Sequence, residues 1–303
     1  MSTPTSLDLP EGVRRTGIQT SRGVFAALDA LPVPGVCERE TALLVPGYTG
    51  SKEDFLTVLG QLAAAGRRVV AIDMRGQYQT AGTPDGYSAS ALGDDIAAIA
   101  QATETRHLLG HSFGGLVSRE AVLGGLAASG GGDGIASFTL MSSGPAALTG
   151  PRADELTSML TALGAADAED DHDWSGLPVA ELWDTYLGPQ AVAAGVPPVI
   201  VAFLRDRMLG NDPNALIRMA RLLLSAPDRT DELACLRDLP KLVIYGENDN
   251  SWSPGVQEQM ARQLGARRIC IPGAVHSPNV EAPATTASAL TSFWDEAERG
   301  ASA

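Results

Sequence analysis

Residues 105–115 read Thr-Arg-His-Leu-Leu-Gly-His-Ser-Phe-Gly-Gly. The stretch 105–109 has the length and apolar content of a short buried strand. Gly110-His111-Ser112-Phe113-Gly114 follows it at once, and the chain then takes on helical periodicity to about residue 123. A G-x-S-x-G pattern means little by itself. Between a strand and a helix it describes a tight turn that holds the serine hydroxyl above the end of a sheet. Glycines at 110 and 114 let neighbouring backbone pass without a Cβ clash. Ser112 is therefore a candidate nucleophile rather than a simple helix cap.

Working outward, the chain alternates short apolar runs with amphipathic stretches. Residues 16–20 and 23–31 read as a hairpin joined at Ser21-Arg22-Gly23. Thr41-Ala42-Leu43-Leu44-Val45 is a continuous apolar run, which suits a strand buried on both faces. Ser51, with Asp54 three residues on, opens a helix that Gly66 ends. Further strands are predicted at 68–72, 137–141, 241–245 and 267–271, and further helices at 92–100 and 283–298, the last with Leu290, Phe293 and Trp294 as its buried stripe. This rhythm predicts a mostly parallel sheet with helices on both faces, an α/β fold. Between residues 149 and 238 no strand is apparent. Helical patterns at 155–163, 179–187, 198–209 and 213–224 make this stretch a helical cap inserted into the core. The expected organisation is a loose N-terminus over 1–14, a core over 15–148 and 239–299, and a cap over 149–238.

A serine hydroxyl needs a base to become a nucleophile at neutral pH. The chain has four histidines. His107 lies inside a strand, where packing or hydrogen bonding is its expected role. His111 flanks Ser112 and reads as a wall of the turn. His172 sits in the acidic run Glu169-Asp170-Asp171-His172-Asp173, a solvated loop. His276, in the loop Pro272-Gly273-Ala274-Val275-His276-Ser277-Pro278 after a late strand, lies where a base can reach the sheet edge that carries Ser112. The base in turn needs a carboxylate to fix its tautomer. Asp249, in Gly246-Glu247-Asn248-Asp249, is the choice, with Glu247 as the alternative. The order Ser112, Asp249, His276 is one of the known chain orders for such a constellation. Two backbone amides should hold the oxyanion: that of Phe113 at a helix N-terminus, and that of Tyr48 in the loop Pro46-Gly47-Tyr48-Thr49-Gly50.

Composition narrows the partners. The chain of 303 residues carries a formal net charge of −14 and is 44% hydrophobic. Such a surface repels phosphate backbones and anionic lipids, so neither a nucleic acid nor a membrane surface is an expected partner. No apolar run reaches the ~18 residues of a membrane span, and the N-terminus lacks a secretory pattern. Cys37, Cys235 and Cys270 are few, odd in number and scattered, which points to a reducing, cytoplasmic setting without disulfides or a metal. Cys270, in an apolar run, is expected in the core. Monomer and homodimer are both open.

Taken together, Pro46-Gly47-Tyr48-Thr49-Gly50-Ser51, Asp73-Met74-Arg75-Gly76, the turn at Ser112, Gly246 to Pro254 and Gly273 to Pro278 resemble the α/β-hydrolase superfamily, and its small capped lipase- and esterase-like members in particular. The resemblance implies an eight-stranded sheet, a cap inserted after the sixth strand, a Ser112–His276–Asp249 triad and no cofactor. The chain departs from the pattern in two places. Pro46-Gly47 stands where His-Gly is usual, and Gln77-Tyr78-Gln79-Thr80 where many members have Gly and Ser. A serine at the turn, rather than the aspartate of epoxide hydrolases and dehalogenases, implies acyl transfer to water. The cap is rich in apolar side chains, and Trp183 and Phe203 from it, with Trp252 beside Asp249, are candidate substrate-binding residues. The expected reaction is hydrolysis of a carboxylic ester, lactone or thioester of a small, mainly apolar molecule. Hydrolysis of a C–C bond with the same triad and a non-catalytic ligand-binding protein are the other readings.

Overall fold

A computed structural model describes residues 2–127, 134–166 and 172–301. Glu169, Asp170 and Asp171 of the acidic loop lie outside the described residues. The sheet has eight strands in the spatial order β1-β2-β4-β3-β5-β6-β7-β8. These are β1 (Val13–Thr20), β2 (Gly23–Ala30), β3 (Arg39–Val45), β4 (Arg67–Ile72), β5 (Thr105–His111), β6 (Ser137–Met141), β7 (Lys241–Gly246) and β8 (Arg267–Ile271). The β1–β2 hairpin and the β2–β4 pair are antiparallel, and every later pair is parallel. The crossovers bring the C-terminal ends of β3 to β8 to one edge, where an open parallel sheet places its ligand site.

The continuous apolar runs are the strands covered on both sides. Leu43 and Val45 of β3, with Val70 and Ile72 of β4, pack on one face with Leu92, Ile96 and Ile99 of α2 (Ala89–Ala102) and Leu116 and Val117 of α3 (Phe113–Ala121). Ala42 and Leu44 alternate to the other face, against Leu59 and Leu62 of α1 (Leu56–Ala64) and Leu290, Phe293 and Trp294 of α12 (Pro283–Ala301). The period of two in a strand thus feeds two cores from one run of residues. Cys270 corrects an expectation: it is exposed. Its strand β8 closes the sheet at one edge, so the face that carries Cys270 is not covered as the central strands are.

Between β6 and β7 the described chain is helical: α4 (Pro151–Ala162), α5 (Val179–Leu182), α6 (Gly188–Ala193), α7 (Pro198–Leu209), α8 (Pro213–Ser225) and α9 (Thr230–Ala234). After β7 come α10 (Pro254–Leu264) and the short α11 (Pro278–Glu281). The inserted helices make their own apolar cluster of Leu182, Trp183, Ile200, Leu204 and Met208. They are tied to the sheet by polar contacts as well. Arg207 of α7 and Asp54, both fully buried, form an ion pair at 2.7 Å. The N-terminal segment reaches this junction: Leu7 packs on the inserted cluster, and the Ser2 carbonyl accepts a hydrogen bond from Arg207 Nη2 at 2.7 Å. Among the described residues no helix is long and apolar enough to cross a membrane.

Candidate active site

The turn after β5 is as tight as its glycines require. A Cβ at Gly110 would lie 2.4 Å from the Gly114 carbonyl oxygen, and one at Gly114 would lie 2.3 Å from that of Pro46. Both are closer than atoms can pack, so neither position accepts a side chain. Ser112 at the tip has φ 54° and ψ −122°, a conformation non-glycine residues avoid. Such strain costs about 1–3 kcal/mol and persists only where surrounding contacts impose it. Here the Ser112 N–H donates to Met141 O at 2.9 Å, and Ser143 Oγ donates to Ser112 O at 2.8 Å.

From that position Ser112 Oγ lies 2.9 Å from His276 Nε2, and His276 Nδ1 lies 3.0 Å from Asp249 Oδ1. Residues from the ends of β5, β7 and β8 thus form one hydrogen-bonded row, although His276 is 164 positions from Ser112. Asp249 stands at the bond to His276. The alternative, Glu247, is exposed and accepts instead from the Gly273 N–H at 2.9 Å. The Asp249 carboxylate is held at both oxygens: the Ser251 N–H donates to Oδ1 at 2.9 Å and Gln257 Nε2 donates to Oδ2 at 2.9 Å.

His111 is a structural neighbour, as its position implies. Its Nε2–H donates to the His276 carbonyl at 2.8 Å and so holds the loop carrying the base. Burial, and then the nearby His276, push its pKa down to about 3, so it stays neutral. His107 is also accounted for by packing: it stacks on Trp294 and bonds Ser137 and Glu298. His172 is exposed, with its ring 4.2 Å from that of Trp174. Among the described residues no group of three or more His, Cys, Asp or Glu side chains is placed to hold a metal ion.

Tyr48 and Phe113 flank Ser112 from two elements. Phe113 opens α3, and Tyr48 follows Gly47, whose Cα faces Ser112 so closely that a Cβ there would lie 3.1 Å from the Ser112 Cβ. The Tyr48 hydroxyl donates to Leu216 O of α8 at 3.0 Å, fastening the loop to the inserted helices. Burial raises its phenol far above the ordinary range. The three candidate substrate-binding aromatics are all buried. Trp183 packs against Gly188 in the cluster of inserted helices. Phe203 meets Tyr78 edge-on at 5.8 Å and lines a cavity of about 310 Å³ with Leu7, Glu53 and Tyr78, a lining that does not include Ser112. Trp252 lies against Gly144 and donates from Nε1 to Ala146 O at 3.2 Å. Gln257 was not among the sequence candidates. Its signal was a polar residue in the buried stripe Gln257, Met260, Ala261, Leu264 of α10.

A model of the alpha/beta hydrolase family matches residues 42–289. The chain belongs to that family. This alpha/beta hydrolase is 38% identical over 94 residues to a protein of Variovorax paradoxus (strain S110) whose name is that of a carbamate hydrolase, RutD. The match covers 30% of this chain and 35% of that protein. Its structure resembles a thermophilic esterase from Thermogutta terrifontis, with a TM-score of 0.67 and 21% identity over 94% of this chain and 99% of the other. It also resembles the enol-lactonase from Burkholderia xenovorans LB400, with a TM-score of 0.67 and 18% identity over 92% and 99%. Likenesses at such identities establish the fold alone. A hydrolase from Pseudomonas aeruginosa PA01 is 25% identical, with a TM-score of 0.63 over 92% of this chain and 98% of that one.

Proposed function

We propose that this alpha/beta hydrolase is a serine hydrolase that cleaves a carboxylic ester, lactone or thioester of a mainly apolar substrate through an acyl-enzyme. The observation that carries the reading is the row Ser112 Oγ, His276, Asp249 at 2.9 and 3.0 Å, with Ser112 in a strained turn. In this reading His276 Nε2 takes the Ser112 proton as Oγ attacks the acyl carbon, and Asp249 stabilises the imidazolium from Nδ1. The Tyr48 and Phe113 amide N–H groups donate hydrogen bonds to the developing oxyanion. The tetrahedral species collapses, His276 returns the proton to the leaving oxygen or sulfur, and water repeats the sequence on the acyl-enzyme. No cofactor takes part. Residues 149–238 act as a cap over the core of 15–148 and 239–299, and Trp183, Phe203 and Trp252 give the pocket beneath its apolar character. Proteins named as an esterase and an enol-lactonase share this fold. The charge of −14 disfavours anionic acyl groups, and the three free cysteines suit a cytoplasmic setting.

A fluorophosphonate probe tests this directly. The native chain should be labelled and should hydrolyse p-nitrophenyl acetate. Ser112→Ala should lose both, and His276→Ala should lower kcat by several orders of magnitude. The double variant should be little worse than either, because residues acting as a unit are not additive. Labelling that survives in Ser112→Ala would overturn the assignment. A panel of esters, thioesters and vinylogous diketones separates acyl transfer from C–C cleavage.

A further inference from the structure

We propose that Gln77 is a positioning residue for this reaction: its side chain orients the peptide between Gly47 and Tyr48 so that the Tyr48 N–H faces the oxyanion. The proposal rests on the serine-hydrolase reading. Gln77 opens the stretch Gln77-Tyr78-Gln79-Thr80, where the chain departs from its family pattern. It is 1% exposed, and Nε2 donates to the Gly47 carbonyl at 3.1 Å. That carbonyl also accepts from the Gly50 N–H at 3.0 Å. Among the described residues no peptide bond is cis. In a trans peptide the C=O of one residue and the N–H of the next point in opposite directions. Two donors that draw the Gly47 oxygen one way therefore aim the Tyr48 N–H the other way. Ser112 is the neighbour on hand, since a Cβ at Gly47 would lie 3.5 Å from its Oγ.

The donor is itself held rigidly. The Gln77 N–H donates to Met74 O at 2.9 Å, and the Thr80 N–H donates to Gln77 O at 3.0 Å. The same two loops are joined a second time where Asp73 receives the Lys52 N–H at 2.8 Å and Lys52 Nζ at 2.7 Å. The loop from Gly47 to Lys52 is thus fixed at both ends from one element. The other end of the Gln77 amide argues that its N–H is what counts. Its Oε1 is buried and has no hydrogen-bond partner among the described residues. An unpartnered buried acceptor costs stability, and an apolar side chain of the same length would avoid that cost. Packing alone does not call for an amide here.

Gln77→Met keeps the length, removes the donor and removes the unpartnered acceptor. Its melting temperature should match or exceed the native value. Its kcat for p-nitrophenyl acetate should fall about 10- to 100-fold, less than the full loss of an oxyanion donor, with KM within about threefold. Affinity for a trifluoromethyl ketone, which mimics the tetrahedral species, should fall by a similar factor. Gln77→Leu, which also removes the donor and the unpartnered acceptor, should lose a similar factor in kcat and serves if the methionine variant does not fold. A folded variant of either kind with kcat within about twofold of native, or a loss of kcat that only follows a loss of melting temperature, would overturn the proposal while the serine-hydrolase reading stands. A native chain that neither hydrolyses the ester nor takes a fluorophosphonate on Ser112 would overturn the reading, and the proposal with it.

Discussion

Both oxygens of Asp249 are engaged, so its carboxylate cannot rotate without breaking a bond to His276, Ser251 or Gln257. Gln257 also donates from Nε2 to Trp252 O at 2.8 Å and is fully buried, which makes it a rigid brace. Gln257→Leu should leave Oδ2 unpartnered. We expect a loss of about 1–3 kcal/mol in urea unfolding and a fall in kcat of about tenfold as the imidazole loses its fixed support. Asp249→Asn should be far worse, on the order of 10⁴-fold in kcat, because the amide presents the wrong partner to Nδ1. Glu247→Gln should leave kcat within about twofold, since Glu247 bonds the Gly273 N–H instead. Steady-state rates on one ester decide the ranking, and a severe loss in Glu247→Gln would reassign the acid.

At the scale of elements, the inserted helices are joined to the sheet through the fully buried Arg207–Asp54 pair. Asp54 also accepts from the Ser51 N–H at 3.2 Å, so the pair links α7 to the segment that follows the Tyr48 loop. Arg207→Met should strand the Asp54 charge and cost about 3–5 kcal/mol, read from the urea midpoint. Arg207→Met with Asp54→Leu should recover much of it, and failure to recover would show that the pair does more than satisfy itself. Patterning made α4, α7 and α8 legible, 198–209 to the residue, and α8 carries the clearest apolar face. It did not reveal this pair. Arg207 and Asp54 look like solvent-facing charges in a linear sequence, and only the fold brings them together across 153 positions. Cys270 failed for the converse reason: an apolar run says strand but not whether the strand lies at the edge. Ser112 and His276 were legible because glycines and loop ends mark them locally. Gln77 and Gln257 act through other residues and carry no such mark.

Across the whole molecule, the last helix is fastened to the sheet by charge. Arg67 of β4 is fully buried and pairs with Asp295 and Glu298 of α12, while His107 of β5 meets Glu298 at 3.0 Å. Burial alone would raise the Glu298 pKa, but the hydrogen bonds from His107 and Arg67 outweigh it and hold the carboxyl down to about 2. A carboxyl with a lowered folded pKa stabilises the fold above its unfolded value, about 4.5, and that contribution disappears as pH falls toward about 2. Asp73 works in the opposite sense. Burial raises it to about 6 despite Lys52, so the folded state holds the extra proton and stability falls as pH rises from about 4 to about 6. The two windows overlap in the native curve, so a comparison is needed to separate them. Glu298→Gln keeps the shape and removes one charge, and Asp73 is common to both chains. The native chain should be more stable than Glu298→Gln by about 1–2 kcal/mol at pH 7, allowing for screening on the partly exposed carboxylate. That gap should stay constant down to about pH 5 and then narrow steadily toward pH 2.5. Urea midpoints of the two chains at several pH values measure it. A gap that keeps its full width at pH 2.5 would mean that the Glu298 charge is not its source, and a gap absent at pH 7 would mean that Asp295 satisfies Arg67 without Glu298.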